Sequence, residues 1–182
     1  MLYDNFIAEY YDASPIVTGR RDVPFYVNAA KEFGDPVLEL GCGSGRVAMA
    51  IAQAGFKITG LDLLEKMLAQ AERKLARLPE GVRARLNFVH ADMTNFEIKA
   101  LFPRRIVLQF PLIIIPFRPF QHLLEIQQQL DCVHCARKHL QPGGHLVLDF
   151  FQTDARRMHD PELLKDSGKP WNTACPMGER YA

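Results

Sequence analysis

Cysteine is scarce in this sequence, with four residues among 182: Cys42, Cys132, Cys135 and Cys175. They are too few and too scattered for a disulfide framework and fit a reducing compartment. Charge of one sign is lacking too. The 22 lysines and arginines offset 21 acidic residues to a formal net charge of +1, so no strong field draws the chain to nucleic acid or an acidic membrane surface. Nor do basic and aromatic residues interleave as a nucleic-acid interface requires. Long hydrophobic runs are missing: the most apolar stretch, IVLQFPLIIIPF from Ile106 to Phe117, is too short and too broken by proline to span a bilayer. The opening MLYDNFIAEYYDAS carries acids where a targeting segment would carry bases ahead of an apolar run. Together these absences predict a cytoplasmic protein with neither a membrane nor a nucleic-acid partner. The CVHC run at Cys132 to Cys135 is half of a zinc pattern, but a structural zinc takes four ligands and the second pair is missing. His134 and His139 fall within the same helical pattern, so no metal is expected.

What is present is the composition of an ordinary globule, 48% hydrophobic and 24% charged, arranged as short strand-like runs alternating with helical periods. A helix is predicted from Asp22, with Val23, Tyr26, Ala30 and Phe33 on one side and Gly34 as its stop. PVLEL is a buried strand. Val47, Ala50, Ile51 and Ala54 mark a second helix that ends at Gly55. KITGLD follows as a strand ending at Asp62, and Leu64, Met67, Leu68, Ala71, Leu75 and Leu78 form the next apolar helical stripe. RLNFVHAD is a third strand, ending at Asp92. A fourth has its core at Leu112 to Ile115, with Pro111 obscuring its start. Leu123, Ile126, Leu130, Val133 and Leu140 mark a long helix stopped by QPGG, and HLVLDFF is the fifth strand. This order predicts an α/β, three-layer Rossmann-like fold: a mostly parallel sheet with helices on both faces. The division expected is an N-terminal cap and first helix (1–35), a ligand-binding core (36–151) and an irregular tail (152–182).

In such a sheet ligands bind where loops leave the carboxyl ends of the strands, and here three of those ends are acidic: Glu39, Asp62 and Asp92. Directly after Glu39 the glycines Gly41, Gly43 and Gly45 occupy alternate positions before a helix. A bare loop of this kind lies flat against a ligand, and the helix start offers unpaired N–H groups to an anion. Asp62, about twenty residues on, is placed to accept from ribose hydroxyls. A dinucleotide would fit so far, but its fingerprint is G-x-G-x-x-G, whereas this loop is G-x-G-x-G followed by Arg46. No P-loop lysine follows either. Asp92 adds an acceptor for an adenine amino group, with the Met93 N–H toward the ring, and Glu39 would face an ammonium. The ligand so described is adenosine carrying an amino acid.

The stretches VLELGCGSGRVAMAIAQAGFKITGLDLLEKMLAQA, FVHADM, PLIIIPFRPFQHLL and LQPGGHLVLDFF resemble, in order and spacing, successive motifs of the class I S-adenosylmethionine-dependent methyltransferases. The resemblance covers roughly Glu9 to Phe151. It implies S-adenosylmethionine as cofactor, with Glu39 and the Gly41, Gly43, Gly45 loop at the methionine moiety, Asp62 at the ribose, Asp92 and Met93 at adenine, and Leu63 and Met67 walling the adenosine. AEYYDAS is similar to the segment that closes over the cofactor in small-molecule members, with Tyr11 as its contact. The loop PFRPFQHLL lies where the family receives its acceptor; there Arg118 is suited to pair with a carboxylate and His122 to take a proton from an amine or hydroxyl. The implied reaction is methyl transfer to nitrogen or oxygen of a small-molecule acceptor. Leu64 stands where a helix-capping serine is frequent, and Phe110-Pro111 where Phe-Asp is frequent. The family's closing helix and antiparallel strand pair find no counterpart after the fifth strand. That leaves a sheet edge for a second copy or a partner chain to complete. Two other readings compete: a catalytically weak or inactive cofactor-binding module, favoured by the short C-terminus, and an NAD-dependent oxidoreductase, disfavoured by the glycine spacing and Asp92.

Overall fold

A computed structural model of the chain describes residues 10–98 and 108–151. The irregular tail expected from Gln152, any helix between the third and fourth strands within 99–107, and the first residues of the fourth run lie outside them. The helices are α1 (Pro15–Thr18), α2 (Val23–Phe33), α3 (Arg46–Gln53), α4 (Glu65–Leu75), α5 (Glu80–Arg83) and α6 (Ile126–His139). The strands are β1 (Val37–Leu40), β2 (Ile58–Asp62), β3 (Leu86–His90), β4 (Phe110–Ile115) and β5 (Leu140–Leu148). Their order is β3-β2-β1-β4-β5 with every pairing parallel, as the alternating pattern predicts.

Successive side chains of a strand point to opposite faces, and the core divides accordingly. Val37, Ile58, Leu112 and Ile114 pack against Tyr26, Ala29 and Ala30 of α2 and Val47, Ala48, Ile51 and Ala52 of α3. Leu38, Leu40, Leu61, Ile113 and Ile115 pack on the other face against Cys132, Cys135 and Ala136 of α6. β4 is buried along its whole length, each large side chain contributing about 1.5–3 kcal/mol. Among the described residues no helix is long and apolar enough to cross a membrane.

Two elements, α6 and β5, depart from expectation. The helix expected from Leu123 begins at Ile126, because Pro119–His122 forms a separate 3-10 turn and the Glu125 side chain caps α6 in a reciprocal box with Gln128. Its apolar stripe does not face the sheet: Ile126, Leu130 and Val133 are 75%, 48% and 42% exposed. Buried instead are Cys132, Cys135, Ala136 and His139. Bulky β4 side chains fill that layer, so the helix approaches through small residues, the cysteines acting as small hydrophobes. Last, QPGG does not precede β5 but lies inside it. Leu140 pairs with Phe110 and His145 with Leu112, so residues between them bulge out, at Pro142, which lacks a donor, and at Gly143, which has φ +77°. The strand ends at Leu148 rather than Phe151.

Candidate functional site

Strand order reverses between β1 and β4: β1 leads to β2 on one side, β4 to β5 on the other. A crevice opens at such a switch point, at the carboxyl ends of the strands. Two loops meet there. The loop after β1 is hung on its neighbour, with Gly41 and Cys42 donating to the Leu61 carbonyl at 2.8 and 2.9 Å and Gly43 donating to Asp62 Oδ2 at 2.7 Å. Gly41 has φ +71°, and a Cβ there would lie 2.6 Å from the Pro119 side chain of the loop after β4. Gly43, at φ +55°, has Met67 Cε where a side chain would press, at 3.3 Å. The bare backbone thus lets the two loops touch, with Pro119 and Met67 seated in the cradle it forms.

Glu39 is the unusual group of the cradle. It is 2% exposed on a fully buried strand, accepts from the Ala48 backbone N–H in the first turn of α3, and its Oε2 has no hydrogen-bond partner among the described residues. Burial pushes its carboxyl up to about 8; Arg46 opposes this and Asp62 adds to it. A buried acceptor without a donor is costly, so the atom calls for a hydrogen-bonding, preferably cationic, ligand. Asp62 ends the neighbouring strand β2. Its Oδ1 accepts from Leu64 N–H at 2.9 Å and its Oδ2 from Gly43, and burial raises its carboxyl against those bonds. The Leu63 N–H bonds the same carboxylate, leaving room for one further donor such as a hydroxyl. The Leu64 side chain supplies no cap for α4, in keeping with the missing serine.

Met67 is buried beneath Gly43, Leu63 is 57% exposed beside Asp62, and Met93 Cε reaches within 3.4 Å of the Cβ position of Gly41. Asp92 lies beyond the end of β3, where its Oδ1 accepts from both the N–H and the hydroxyl of Thr94 at 2.8 Å. The N-terminal segment is strapped over the glycine loop through Asp12, which accepts from Ser44 Oγ at 2.6 Å, Gln70 at 2.7 Å and Lys74 at 2.7 Å. Burial alone would raise the Asp12 carboxyl, but the bonds from Lys74, Ser44 and Gln70 outweigh it and hold it below its ordinary value. This strap carries Tyr11 to the loop after β4, edge-on to Phe117 with ring centroids 6.5 Å apart.

Phe117 and Arg118 form a corner with φ of +65° and +68°, a conformation costing roughly 1–2 kcal/mol per non-glycine residue. Arg118 is half-buried, its guanidinium 5.3 Å from the Phe117 ring, while His122 is exposed at the end of the 3-10 turn. Phe120 is packing material, buried against Phe150. The structure therefore gathers Tyr11, Glu39, Gly41, Gly43, Asp62, Met67, Met93 and Arg118 around one crevice. Gly45, at φ +79°, starts α3, and its missing side chain makes room for Phe88.

Sequence reasoning missed a charged network beside this crevice. Asp22 accepts both Nη atoms of Arg46 at 2.6 and 2.8 Å and Arg20 Nε at 2.9 Å; Arg20 continues to Asp149 Oδ2 at 3.3 Å. The rule that selects acids at the ends of β1, β2 and β3 points equally to Asp149 at the end of β5. Among the described residues no group of three or more side chains is arranged to hold a metal, and Cys132 and Cys135 are buried free thiols.

A family model described as a methyltransferase domain matches residues 37–144, more than half of the chain. A cypemycin N-terminal methyltransferase from Streptomyces sp is 26% identical over 180 residues, covering 97% of this chain and 64% of that protein. Among solved structures, the CcbJ methyltransferase from Streptomyces caelestis superposes with a TM-score of 0.69 at 29% identity, over 80% of this chain and 56% of that one. The glycopeptide N-methyltransferase MtfA complexed with S-adenosyl-L-methionine gives 0.60 at 29% identity, over 70% and 52%. The chain thus spans less than two thirds of that curated relative and about half of each solved structure. These likenesses favour neither an NAD-dependent oxidoreductase nor an inert module.

Proposed function

We propose, from the premise that the chain belongs to the class I S-adenosylmethionine-dependent methyltransferase family, that it transfers a methyl group to a nitrogen or oxygen of a small-molecule acceptor. The observation that carries this reading is the orphaned carboxyl oxygen of Glu39 near the end of β1, beside the glycine loop, with Asp62 at the end of the neighbouring β2 bonded to that loop. The residues fit the cofactor: Glu39 takes its ammonium, the backbone at Gly41 and Gly43 its methionine chain, with Gly45 shaping the loop. Asp62 takes its ribose hydroxyls, Asp92 and the Met93 N–H its adenine, and Leu63 and Met67 line the adenosine. When bound, S-adenosylmethionine supplies an electrophilic methyl group on a sulfonium sulfur.

The chain's own residues then hold an acceptor opposite that methyl and exclude water, the kind of positioning that supplies most of the barrier lowering in a displacement of this type. Tyr11 covers the cofactor from the strap, Arg118 pairs with a carboxylate on the acceptor, and His122 removes the proton of the attacking amine or hydroxyl. The likeness to the glycopeptide N-methyltransferase MtfA supports amines as the first acceptors to try. The proposed division is a cap and first helix at 1–35, the cofactor-binding core at 36–151 and a tail at 152–182. Incubation with methyl-labelled S-adenosylmethionine and a panel of primary amines, secondary amines, alcohols and phenols tests it. The expected result is labelled N-methyl or O-methyl product with an equal amount of S-adenosylhomocysteine. Label that leaves the cofactor only as methanol, whatever the acceptor, contradicts it.

A further inference from the structure

We propose that Asp149 is a positioning residue that sets the acceptor side of the crevice by clasping the left-handed Phe117–Arg118 corner. It rests on the methyl-transfer reading only in assigning an acceptor to that corner. Two consecutive non-glycine residues at φ +65° and +68° do not hold such a conformation unaided. Here both of their backbone N–H groups are taken by one carboxylate: Phe117 donates to Asp149 Oδ2 at 3.0 Å and Arg118 to Oδ1 at 2.7 Å. An ionised carboxylate is suited to this, because it accepts at two oxygens and keeps lone pairs for further donors.

Those further donors come from α2 and the segment just before it. Tyr26 Oη and Arg20 Nη2 each donate to Asp149 Oδ2 at 3.3 Å. Arg20 bonds Asp22, and Asp22 takes Arg46, the first residue of α3, through two bonds. A continuous hydrogen-bonded path therefore runs from the helix that follows the glycine loop to the corner after β4. It joins four stretches of chain that are distant in sequence, at residues 20–26, 46, 117–118 and 149. The corner in turn sets the Phe117 ring, which lies 4.2 Å beneath the Arg20 guanidinium and edge-on to Tyr11. What Asp149 fixes is thus the aromatic wall that an acceptor meets, while the cofactor contacts at Glu39 and Asp62 do not involve it.

The test is Asp149→Asn in the full chain, read by amide hydrogen exchange, thermal melting and S-adenosylhomocysteine titration. Asparagine keeps one acceptor oxygen and turns an amide donor toward the other N–H, so half of the clasp is lost. Exchange at Phe117 and Arg118 is expected to quicken about tenfold or more. The Leu112 to Ile115 amides should keep their protection, and S-adenosylhomocysteine affinity should stay within about twofold. Adding Arg118→Gly to the Asp149→Asn variant removes the strain at residue 118 but not at Phe117, and should slow exchange at Phe117 part of the way back. A merely structural role would not be rescued by that glycine. Unchanged exchange at the corner, quickening spread over all of β4, or no rescue by Arg118→Gly would each overturn the proposal. Failure of the unaltered chain to bind S-adenosylhomocysteine would contradict the cofactor reading instead and leave the exchange result standing.

Discussion

Replacing Asp62 by alanine is expected to weaken S-adenosylhomocysteine binding by roughly ten- to a hundredfold, since a hydrogen bond to a charged acceptor, as proposed for the ribose, contributes roughly 1.5–3 kcal/mol. The same substitution releases the Gly43 and Leu64 amides that Asp62 now accepts at 2.7 and 2.9 Å. The glycine loop therefore loses its lateral anchor as well as its ligand contact. Leaving the two part-buried amides unpaired costs up to about 1–3 kcal/mol each, and for a chain of this size that lowers the melting temperature by roughly 5–20 °C, so melting is read alongside the titration. Asp62→Asn separates the two effects. It keeps one acceptor oxygen and should lose about tenfold in affinity with a smaller change in melting. Full affinity in the alanine variant, measured by calorimetry, would remove Asp62 from the site.

The second large effect concerns pH. Burial raises the Glu39 carboxyl to about 8, so in the free protein it holds a proton at neutral pH. A cofactor ammonium needs the carboxylate, and binding must therefore expel that proton. Affinity for S-adenosylhomocysteine should accordingly rise with pH, by up to about tenfold per unit between roughly pH 6 and 7.5. Calorimetry in two buffers of different ionisation enthalpy should find close to one proton released at the acid end of that window. Stability of the free protein moves oppositely. A carboxyl raised above its unfolded value favours the fold while protonated, and that contribution is lost as pH climbs from the ordinary glutamate range through about 8. Glu39→Gln should flatten both profiles and bind weakly at every pH. A steep affinity profile that survives in that variant would assign the proton elsewhere.

Much of this was legible in the sequence because local chemistry and topology agree there. Alternating periods predict the parallel sheet. Of the three acids expected at strand ends, Glu39 and Asp62 stand beside the glycine loop, while Asp92 lies beyond the end of β3 and is bonded to Thr94. Gly34 and Gly55 mark helix ends correctly, both at positive φ. What stayed hidden depends on packing between distant segments. The face of α6 could not be read from hydrophobicity, since the sheet takes Cys132, Cys135 and Ala136 and leaves Ile126 and Leu130 outside. The QPGG run looks like a stop and is a bulge, because pairing with Phe110 already holds Leu140. The network of Arg46, Asp22, Arg20 and Asp149 joins residues up to 129 positions apart, and no spacing rule reaches that far. Asp149 alone carried a signal, as an acid at a strand end. Tyr11 is different: it sits in a recognisable segment, but its neighbour Asp12 provides the anchorage to Ser44, Gln70 and Lys74.

The central claim is that this crevice holds the adenosine and amino-acid moieties of S-adenosylmethionine. Calorimetric titration of the full chain with S-adenosylhomocysteine, with NAD as the control ligand, tests it most directly. The account predicts one site per chain filled by S-adenosylhomocysteine with micromolar affinity, on the order of 8 kcal/mol, and no heat from NAD. Equal binding of the two ligands, or binding of neither by the folded chain, would contradict it.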